Sequence, residues 1–354
     1  MLILRPQEVE GLLTMPEAIN AVDRAFADWG LNAHINLPRR RLHAGDARLN
    51  MMPAALPSRE KIGLRIQSEI LAVNGGVQTY PSRSPLVDML FDTRSAAPLA
   101  VILSSTQRGK TADGILLRTS DLMTAAISAV GTKWMSRADS STLLILGSGK
   151  QARNHLIAMK AIRELKRVIV FSPTRANRER FAGEMAEALS LDILATDNCR
   201  DGIEQADIVL AATNTNAPVL SGAWLSAGTH VTSIVGSNIG MVQAGVIQQK
   251  RRELDNETLR RAAIIGIASR ELAIQDQQGD IFDQVEAGQL SWEDIFELRE
   301  IVSGQKPGRR SHKDITVFKN NGGQGIAELA IADLVLNRAR EKKLGVEVTW
   351  GEGY

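Results

Sequence analysis

The chain contains a single cysteine, Cys199, which excludes an internal disulfide and a thiolate metal cage. Its five histidines, His34, His43, His155, His230 and His312, show no metal-ligand spacing, and no metal is expected. Neither sign of charge dominates. The 42 Lys and Arg against 40 Asp and Glu leave a formal charge of +2, which argues against a dedicated nucleic-acid binder. No apolar run approaches the roughly 18 residues of a membrane span. The opening MLILRPQEVEG lacks a basic stretch followed by a long apolar core. A soluble, cytoplasmic protein is the expectation. Aromatic residues are only 4%, so the core must be aliphatic. There is no Gly-x-Ser-x-Gly nucleophile elbow. The 354 residues correspond to about two domains of ordinary size.

What is present changes character along the chain. Residues 15–29 place Ile19, Val22, Ala25 and Phe26 on one helical face. Basic segments follow, PRRRLHAG and ARLNMMPAALP, broken by Pro38, Pro53 and Pro57. Residues 62–71, 85–91 and 97–103 read as strands without long helices between them, which implies an antiparallel or mixed sheet. After Ser120 the pattern alternates. A helix over 122–136 precedes an apolar strand at 142–146. Strands at 167–171, 208–212, 230–235 and 262–267 then alternate with helices at 153–165 and 175–189. That is the pattern of a parallel sheet covered by helices. A last helix is expected over 326–342, with Leu329, Ala332, Leu336 and Ala339 on one face.

The strongest local signal is TLLILGSGKQA at 142–152. An apolar strand runs into Gly147-x-Gly149-x-x-Ala152 and a helix follows. Gly147 permits the tight turn, Gly149 lets the backbone approach a pyrophosphate, and Ala152 lets helix pack on strand. The helix N-terminus then offers amide groups to the phosphates. Ser148, Lys150 and Gln151 complete the turn. A nucleoside-triphosphate loop is excluded, since residue 144 is Leu and residue 151 is Gln. The next strand ends Phe171-Ser172-Pro173-Thr174-Arg175 with no acid to hold a ribose 2′-hydroxyl. Ser172, Thr174 and Arg175 suit a 2′-phosphate, so NADP(H) is favoured over NAD(H). Thr213, Asn214, Val235 and Gly236 stand where later strands end, at the ligand edge of such a sheet.

Several segments in order resemble the ornithine cyclodeaminase/mu-crystallin family. They are Met52-Pro53-Ala54, Thr124-Ala125-Ala126, the GSGKQA turn, ADIVLAATNTNAPVL (206–220), WLSAGTHVTSIVG (224–236), Glu253-Leu254-Asp255, Gly279-Asp280, Gly308-Arg309 and ITVFKNNGG (315–323). The resemblance spans residues 36–342. It implies an α/β homodimer whose protomer has a Rossmann dinucleotide-binding domain (124–323). The other part is an α+β substrate-binding and dimerisation domain (1–123 and 324–354) completed by the C-terminal helix. It implies hydride transfer between a nicotinamide and a small amino or imino acid. It also places Thr124, Lys319 and Gly323 among the cofactor contacts.

Departures from the family pattern narrow the reading. Asn238 stands where ornithine cyclodeaminases carry a catalytic Asp, and an amide cannot serve as that base. The family lysine aligns with Arg65, a poor proton shuttle. Lys61, four residues earlier and on the same strand face, is the substitute considered. The family Arg-Thr-Ala-Ala reads Met123-Thr124-Ala125-Ala126, and the nearest arginine is Arg118, within an apparent insertion near 107–117; a second lies near 240–250. Lys61, Arg65 and Asn238 are therefore the catalytic candidates. Arg39 or Arg41, with Arg65 and Arg118, are the candidates for binding an anionic imino acid, and three guanidiniums suggest a dicarboxylic one. Lys319-Asn320-Asn321-Gly322-Gly323 reads as a flexible polar turn, and Glu328 as an acid opening the final helix. The expected activity is imine reduction; the alternatives are an amino-acid cyclodeaminase with bound NAD and a non-catalytic NADP(H)-binding protein.

Overall fold

The computed structural model describes residues 1–349 apart from 75–76, 106–108, 116, 118 and 244. Arg118 lies outside the described residues. The five longest helices are α1 (Met15–Leu31), α2 (Thr119–Met135), α3 (Lys150–Ile162), α4 (Arg175–Leu189) and α5 (Gly325–Glu341). The chain divides into two units, Met1–Met123 with Gly323–Tyr354, and Thr124–Gly322. Among the described residues no helix is long and apolar enough to cross a membrane.

The first unit carries β1 (Leu2–Leu4), β2 (Arg40–Ala44), β3 (Ala47–Leu56), β4 (Lys61–Asn74), β5 (Val77–Arg83), β6 (Leu86–Asp92) and β7 (Pro98–Ser104). A short last strand, Val346–Glu347, joins them on the edge beside β1. The path runs β1-β7-β6-β4-β3-β2, with β5 also paired to β4. All of these pairs are antiparallel except β1 with β7. Burial alternates along β3, β6 and β7, so one face is packed and the other is not. The packed face lies under α5, which meets β3, β4 and β6. Helix α1 begins with a capping box in which Thr14 and Glu17 exchange hydrogen bonds, and it buries Ile19, Val22, Ala25, Phe26 and Trp29.

Pro53 was expected to interrupt this region, yet β3 runs through it, with Pro53 opposite Leu64. The Pro53 carbonyl accepts from Leu37 N on the side away from β4. In an extended chain the nitrogen points the same way as its own carbonyl, so the missing N–H falls on the side the ladder to β4 does not use. Strand β2 has ended its pairing by Met51.

The second unit is a parallel sheet with strands β8 (Thr142–Leu146), β9 (Arg167–Phe171), β10 (Ile193–Thr196), β11 (Ile208–Ala211), β12 (His230–Ser233), β13 (Ile264–Ile267), β14 (Ile295–Glu297) and β15 (Thr316–Lys319). Their order is β10-β9-β8-β11-β12-β15-β13-β14. The first five repeat the 3-2-1-4-5 order of a dinucleotide-binding sheet. Strands β11, β12, β13 and β15 are buried at every residue. Val209, Ala211, Val231, Ile265, Ile267 and Val317 from these strands join one cluster with Leu144 of β8. The fold class is therefore α/β with a Rossmann-type sheet, together with an α+β unit. Helix α3 starts at Lys150, three residues before the expected 153, with Gly149 at its N-cap.

Candidate functional site

In the second unit the glycine turn joins buried β8 to α3. Gly147 has φ +116, and a Cβ there would stand 2.3 Å from the Ala212 carbonyl oxygen at the end of β11. The turn needs glycine for its own geometry. Gly149 differs: its φ is −83 and a Cβ would meet nothing within 4 Å. Its small size leaves the approach to the start of α3 clear, where the amides of Gln151 and Ala152 have no intrahelical acceptor. Ser148 Oγ donates to Ser172 Oγ at 3.1 Å, tying the turn to the end of β9. Ala152 is fully buried against the sheet. These residues fit a dinucleotide pyrophosphate.

Beyond β9, Thr174 and Arg175 are exposed. Arg175 Nε donates to Glu179 at 2.6 Å. Arg178 turns back to the Ser172 carbonyl at 3.1 Å. No acid stands between Phe171 and Arg178.

A buried carboxylate that the sequence reading did not single out organises the remaining strand ends. Glu253 Oε1 accepts from Thr213 N and Oγ1 at 2.7 and 2.8 Å. Its Oε2 accepts from Ser233 Oγ, Ile234 N and Val235 N at 2.8, 2.9 and 3.0 Å. The segments after β11 and β12 are thereby fixed by one side chain. Asp280 in turn accepts from Glu253 N and Leu254 N, both at 2.9 Å, and from Lys319. Lys319 is fully buried and also donates to Ser233 Oγ at 2.7 Å. Its ammonium lies inside this network. The signal available in sequence was an acid in each of two otherwise unexplained short segments, Glu253-Leu254-Asp255 and Gly279-Asp280.

Asn214 and Gly236 are exposed, and Val235 is buried with its carbonyl accepting from Gln278. Asn238 takes a left-handed φ of 52, and its Nδ2 lies 3.7 Å from Met241 Sδ. The turn after β15 is not loose. Asn320 Nδ2 donates to Thr124 O and Ser128 Oγ, both at 2.9 Å. Asn321 exchanges hydrogen bonds with the Ser269 backbone. Flexibility was expected from composition; buried amide side chains replace it with fixed partners. Cys199 is half-buried, and burial pushes its thiol up to about 11.

The first unit contributes a packed sheet face rich in charge. Arg65 stands directly opposite Asp88 across β4 and β6. Its Nε and Nη2 each donate to Asp88 at 2.7 Å, and Nη1 donates to Glu328 on α5. The three are 3%, 1% and 2% exposed. Glu328 was expected as an acid at a helix start; its buried position on a guanidinium is new. Burial raises its carboxyl to about 7, against the pull of Arg65, while Asp88 adds to the rise and the more weakly felt Arg39 opposes it.

Lys61 lies on the same face of β4 as Arg65, as its even offset predicts. Its ammonium is held by Asp333 at 3.0 Å and the Arg59 carbonyl at 3.1 Å. Arg41 sits opposite Asn50, which is buried, and so shares that face; Arg39 is half-buried just before β2. Next to them Glu69 is clasped by Arg48 at 2.6 Å, Asn50 at 3.0 Å and Arg83 at 3.0 Å. Arg48, Glu69, Arg83 and Asp88 were not anticipated, because they meet only through strand register. Asn36 caps α5 by accepting from Ile326 N at 2.8 Å. A Cβ on Gly323 would lie 3.1 Å from Met52 Sδ, 3.4 Å from Met123 Cε and 3.7 Å from Glu328 Oε1.

With this geometry in view, the chain was compared with known proteins. Residues 1–343 match the ornithine cyclodeaminase/mu-crystallin family. Delta(1)-pyrroline-2-carboxylate reductase of Bacillus cereus is 26% identical over 351 residues, covering 98% of this chain and 99% of that protein. Ketimine reductase mu-crystallin of Mus musculus is 31% identical over 248 residues, 70% of this chain and 67% of that protein. The solved Delta(1)-pyrroline-2-carboxylate reductase of Thermococcus litoralis, in complex with NADH and L-proline, superposes with a TM-score of 0.80 at 29% identity, covering 98% of this chain and all of that one. The chain belongs to the ornithine cyclodeaminase/mu-crystallin family.

Proposed function

We propose that this protein is a nicotinamide-dependent oxidoreductase that reduces the C=N bond of a carboxylate-bearing imino acid to the amine. The observation that carries the reading is the strand–Gly147–Gly149–helix turn, within a chain related along its length to reductases of such imines. When bound, the nicotinamide would supply the hydride for the imine carbon. The chain's own residues bind and orient. Gly147, Ser148, Gly149, Lys150, Gln151 and Ala152 would hold the pyrophosphate. Thr213, Asn214, Val235 and Gly236 would line the cofactor side on segments that Glu253 holds still. Thr124 and Gly323 remain candidates beside them, and Lys319 would act from within its network, by positioning.

The substrate carboxylate would be met by the arginines of the first unit's packed face. Among the described residues, the cations Arg39, Arg41, Arg48, Lys61, Arg65 and Arg83 share the region with the carboxylates Glu69, Asp88, Glu328 and Asp333, so the excess of positive charge there suits an anion. Arg39 and Arg41 are candidates for direct contact, together with Arg65, whose guanidinium already meets Asp88 and Glu328. Δ1-Pyrroline-2-carboxylate is the first substrate to try. A cyclodeaminase reading is weaker, because Asn238 cannot act as a carboxylate base.

NADP(H) is the favoured cofactor form, on the absence of an acid between Phe171 and Arg178 and the exposed Arg175. A homodimer is proposed through the outer face of the first unit's sheet. Leu42, Ile62 and Ile70 are 61%, 48% and 40% exposed there, a poor surface for an isolated protomer.

The test is oxidation of NADPH and NADH with Δ1-pyrroline-2-carboxylate, other cyclic ketimines, and 2-oxo acids supplied with ammonium or methylamine. Imine-dependent loss of reduced nicotinamide is expected. Release of ammonia from ornithine without net redox would establish the cyclodeaminase instead. Cofactor binding with neither activity would establish a binding role.

A further inference from the structure

Imine reduction consumes a proton as well as a hydride, and the sequence offered Lys61 as its source. In the structure the Lys61 ammonium is held by Asp333 and the Arg59 carbonyl. Arg65 cannot give up a proton in this pH range. Asp88 uses both oxygens on the Arg65 guanidinium, in the paired geometry of a carboxylate with arginine. That leaves the third member of the buried triad.

We propose that Glu328 is the acid that protonates the imine nitrogen. The inference rests on the imine-reductase reading given above.

Charge balance is the first argument. Arg65, Asp88 and Glu328 are all buried to within a few per cent, and two carboxylates share one guanidinium. Both ionised, they would bury a net negative charge, which a protein avoids by keeping one proton. Asp88 is opposite Arg65 on the neighbouring strand and bidentate to it. Glu328 meets the guanidinium through Oε2 alone. Among the described residues, the charged groups acting on it are Arg65 from β4, Asp88 from β6 and, more weakly, Arg39 from before β2. Their balance with burial holds the proton to about pH 7.

The surroundings are the second argument. A Cβ on Gly323 would stand 3.7 Å from Glu328 Oε1, 3.1 Å from Met52 Sδ and 3.4 Å from Met123 Cε, so glycine lets the chain pass close beside the carboxyl. The flanking thioether and methyl are apolar, and an acid kept neutral among apolar groups holds a proton it can deliver.

The step balances without a further reagent. The O–H bond of the Glu328 carboxyl breaks as the imine nitrogen lone pair takes the proton, giving an iminium and a carboxylate beside Arg65. The iminium carbon is then the acceptor for the hydride that a bound nicotinamide would supply, and solvent returns a proton to Glu328.

Two measurements test it. The first needs no turnover: urea unfolding of wild type and E328Q from pH 4.5 to 8. A carboxyl whose pKa is raised in the fold stabilises the protein fully below its unfolded value and loses that contribution as pH rises through about 7. Wild type should therefore lose stability relative to E328Q over this window; parallel curves overturn the proposal. The second is the pH profile of kcat/KM with the best imino acid. Wild type should fall about tenfold per pH unit above the Glu328 value, while E328Q should be roughly 100-fold slower at pH 7 and flat. Its affinity for the nicotinamide should be unchanged. An E328Q variant with wild-type rate and profile overturns the assignment and leaves the imine-reductase reading standing. A wild type that reduces no imine overturns that reading, and the catalytic assignment with it. Should E328Q not fold, Glu328→Asp serves: a slower enzyme that keeps the alkaline fall supports the proposal, and loss of the fall with retained rate overturns it.

Discussion

The two sheets of this protein display chemistry in different ways. In the parallel sheet the strands are buried and mostly apolar, their inner polar residues His230, Thr232 and Thr316 bond one another, and the turn and charged groups sit where strands end: the Gly147–Gly149 turn, Thr213, Ser233, Lys319. In the mostly antiparallel sheet the chemistry sits in mid-strand on one packed face, as Arg65 opposite Asp88 and Arg48 opposite Glu69. A parallel sheet covered on both faces cannot carry charge in mid-strand cheaply, so it works through backbone amides and loops. An antiparallel sheet with one packed face can aim side chains from it, provided each charge finds a partner.

The largest test of that contrast is removal of the cation bonded directly within each network. Arg65→Met takes away the partner of Asp88 and of Glu328 together, and a loss of about 3–5 kcal/mol at pH 7 is expected. Adding Asp88→Asn should recover much of it. Lys319→Met should cost less, because Asp280 keeps the amides of Glu253 and Leu254. Urea denaturation of the three variants decides the order. Equal losses from Arg65→Met and Lys319→Met would mean that the amide donors do not substitute for the ammonium.

The glycines separate what folding needs from what ligand binding needs. Gly147→Ala meets both a positive φ and the Ala212 carbonyl, so about 3 kcal/mol of stability should be lost along with nicotinamide affinity. Gly149→Ala has ordinary φ and open surroundings in the protein. Its stability should stay within about 1 kcal/mol of wild type while nicotinamide affinity falls by an order of magnitude or more. If Gly149→Ala binds the cofactor normally, the pyrophosphate does not approach this turn.

The same contrast explains what was legible in sequence. Strands 142–146 and 167–171 and helix 175–189 were read to the residue, because apolar runs and a glycine turn are local signals. The Arg65 cluster was not. Its partners lie 23 and 263 residues away in sequence and meet through register and the return of α5. Arg65 was singled out, but as a group facing substrate; its two carboxylates give it a structural load the sequence did not announce. Glu253 was missed for a related reason. Nothing within its own segment marks a carboxylate that will accept five hydrogen bonds from two other strands. Strand β3 was obscured by Pro53, whose harmlessness depends on which side its neighbour occupies.

A finer test uses opposite pH slopes. Burial lowers His155 in the second unit to about 4, where it bonds Gln151 O and Ser128 Oγ. Such a group favours the fold only while neutral, so its contribution is present above pH 6.5 and lost as pH falls toward 4. Glu328 in the first unit runs the other way between about 4.5 and 7. Each group can contribute at most about 1.4 kcal/mol per pH unit. Unfolding at graded pH should show His155→Gln gaining on wild type in acid and E328Q gaining toward neutrality. The same sign for both would break the contrast between the two units.

The smallest expected effect concerns the choice between NADP(H) and NAD(H). Arg175 is exposed and pairs with Glu179, so a 2′-phosphate must compete with a carboxylate already in place. Arg175→Ala should raise KM for NADPH by roughly threefold, the scale of an exposed charged contact, and leave KM for NADH unchanged. Glu179→Gln should act in the opposite sense by freeing the guanidinium. The pair of variants distinguishes an arginine that reads the phosphate from one that only begins α4, since in the second case neither substitution changes the ratio of the two cofactors. A wild-type enzyme that prefers NADH would place the selectivity elsewhere, in the Ser172–Thr174 segment, where a hydroxyl can serve a ribose as readily as a phosphate.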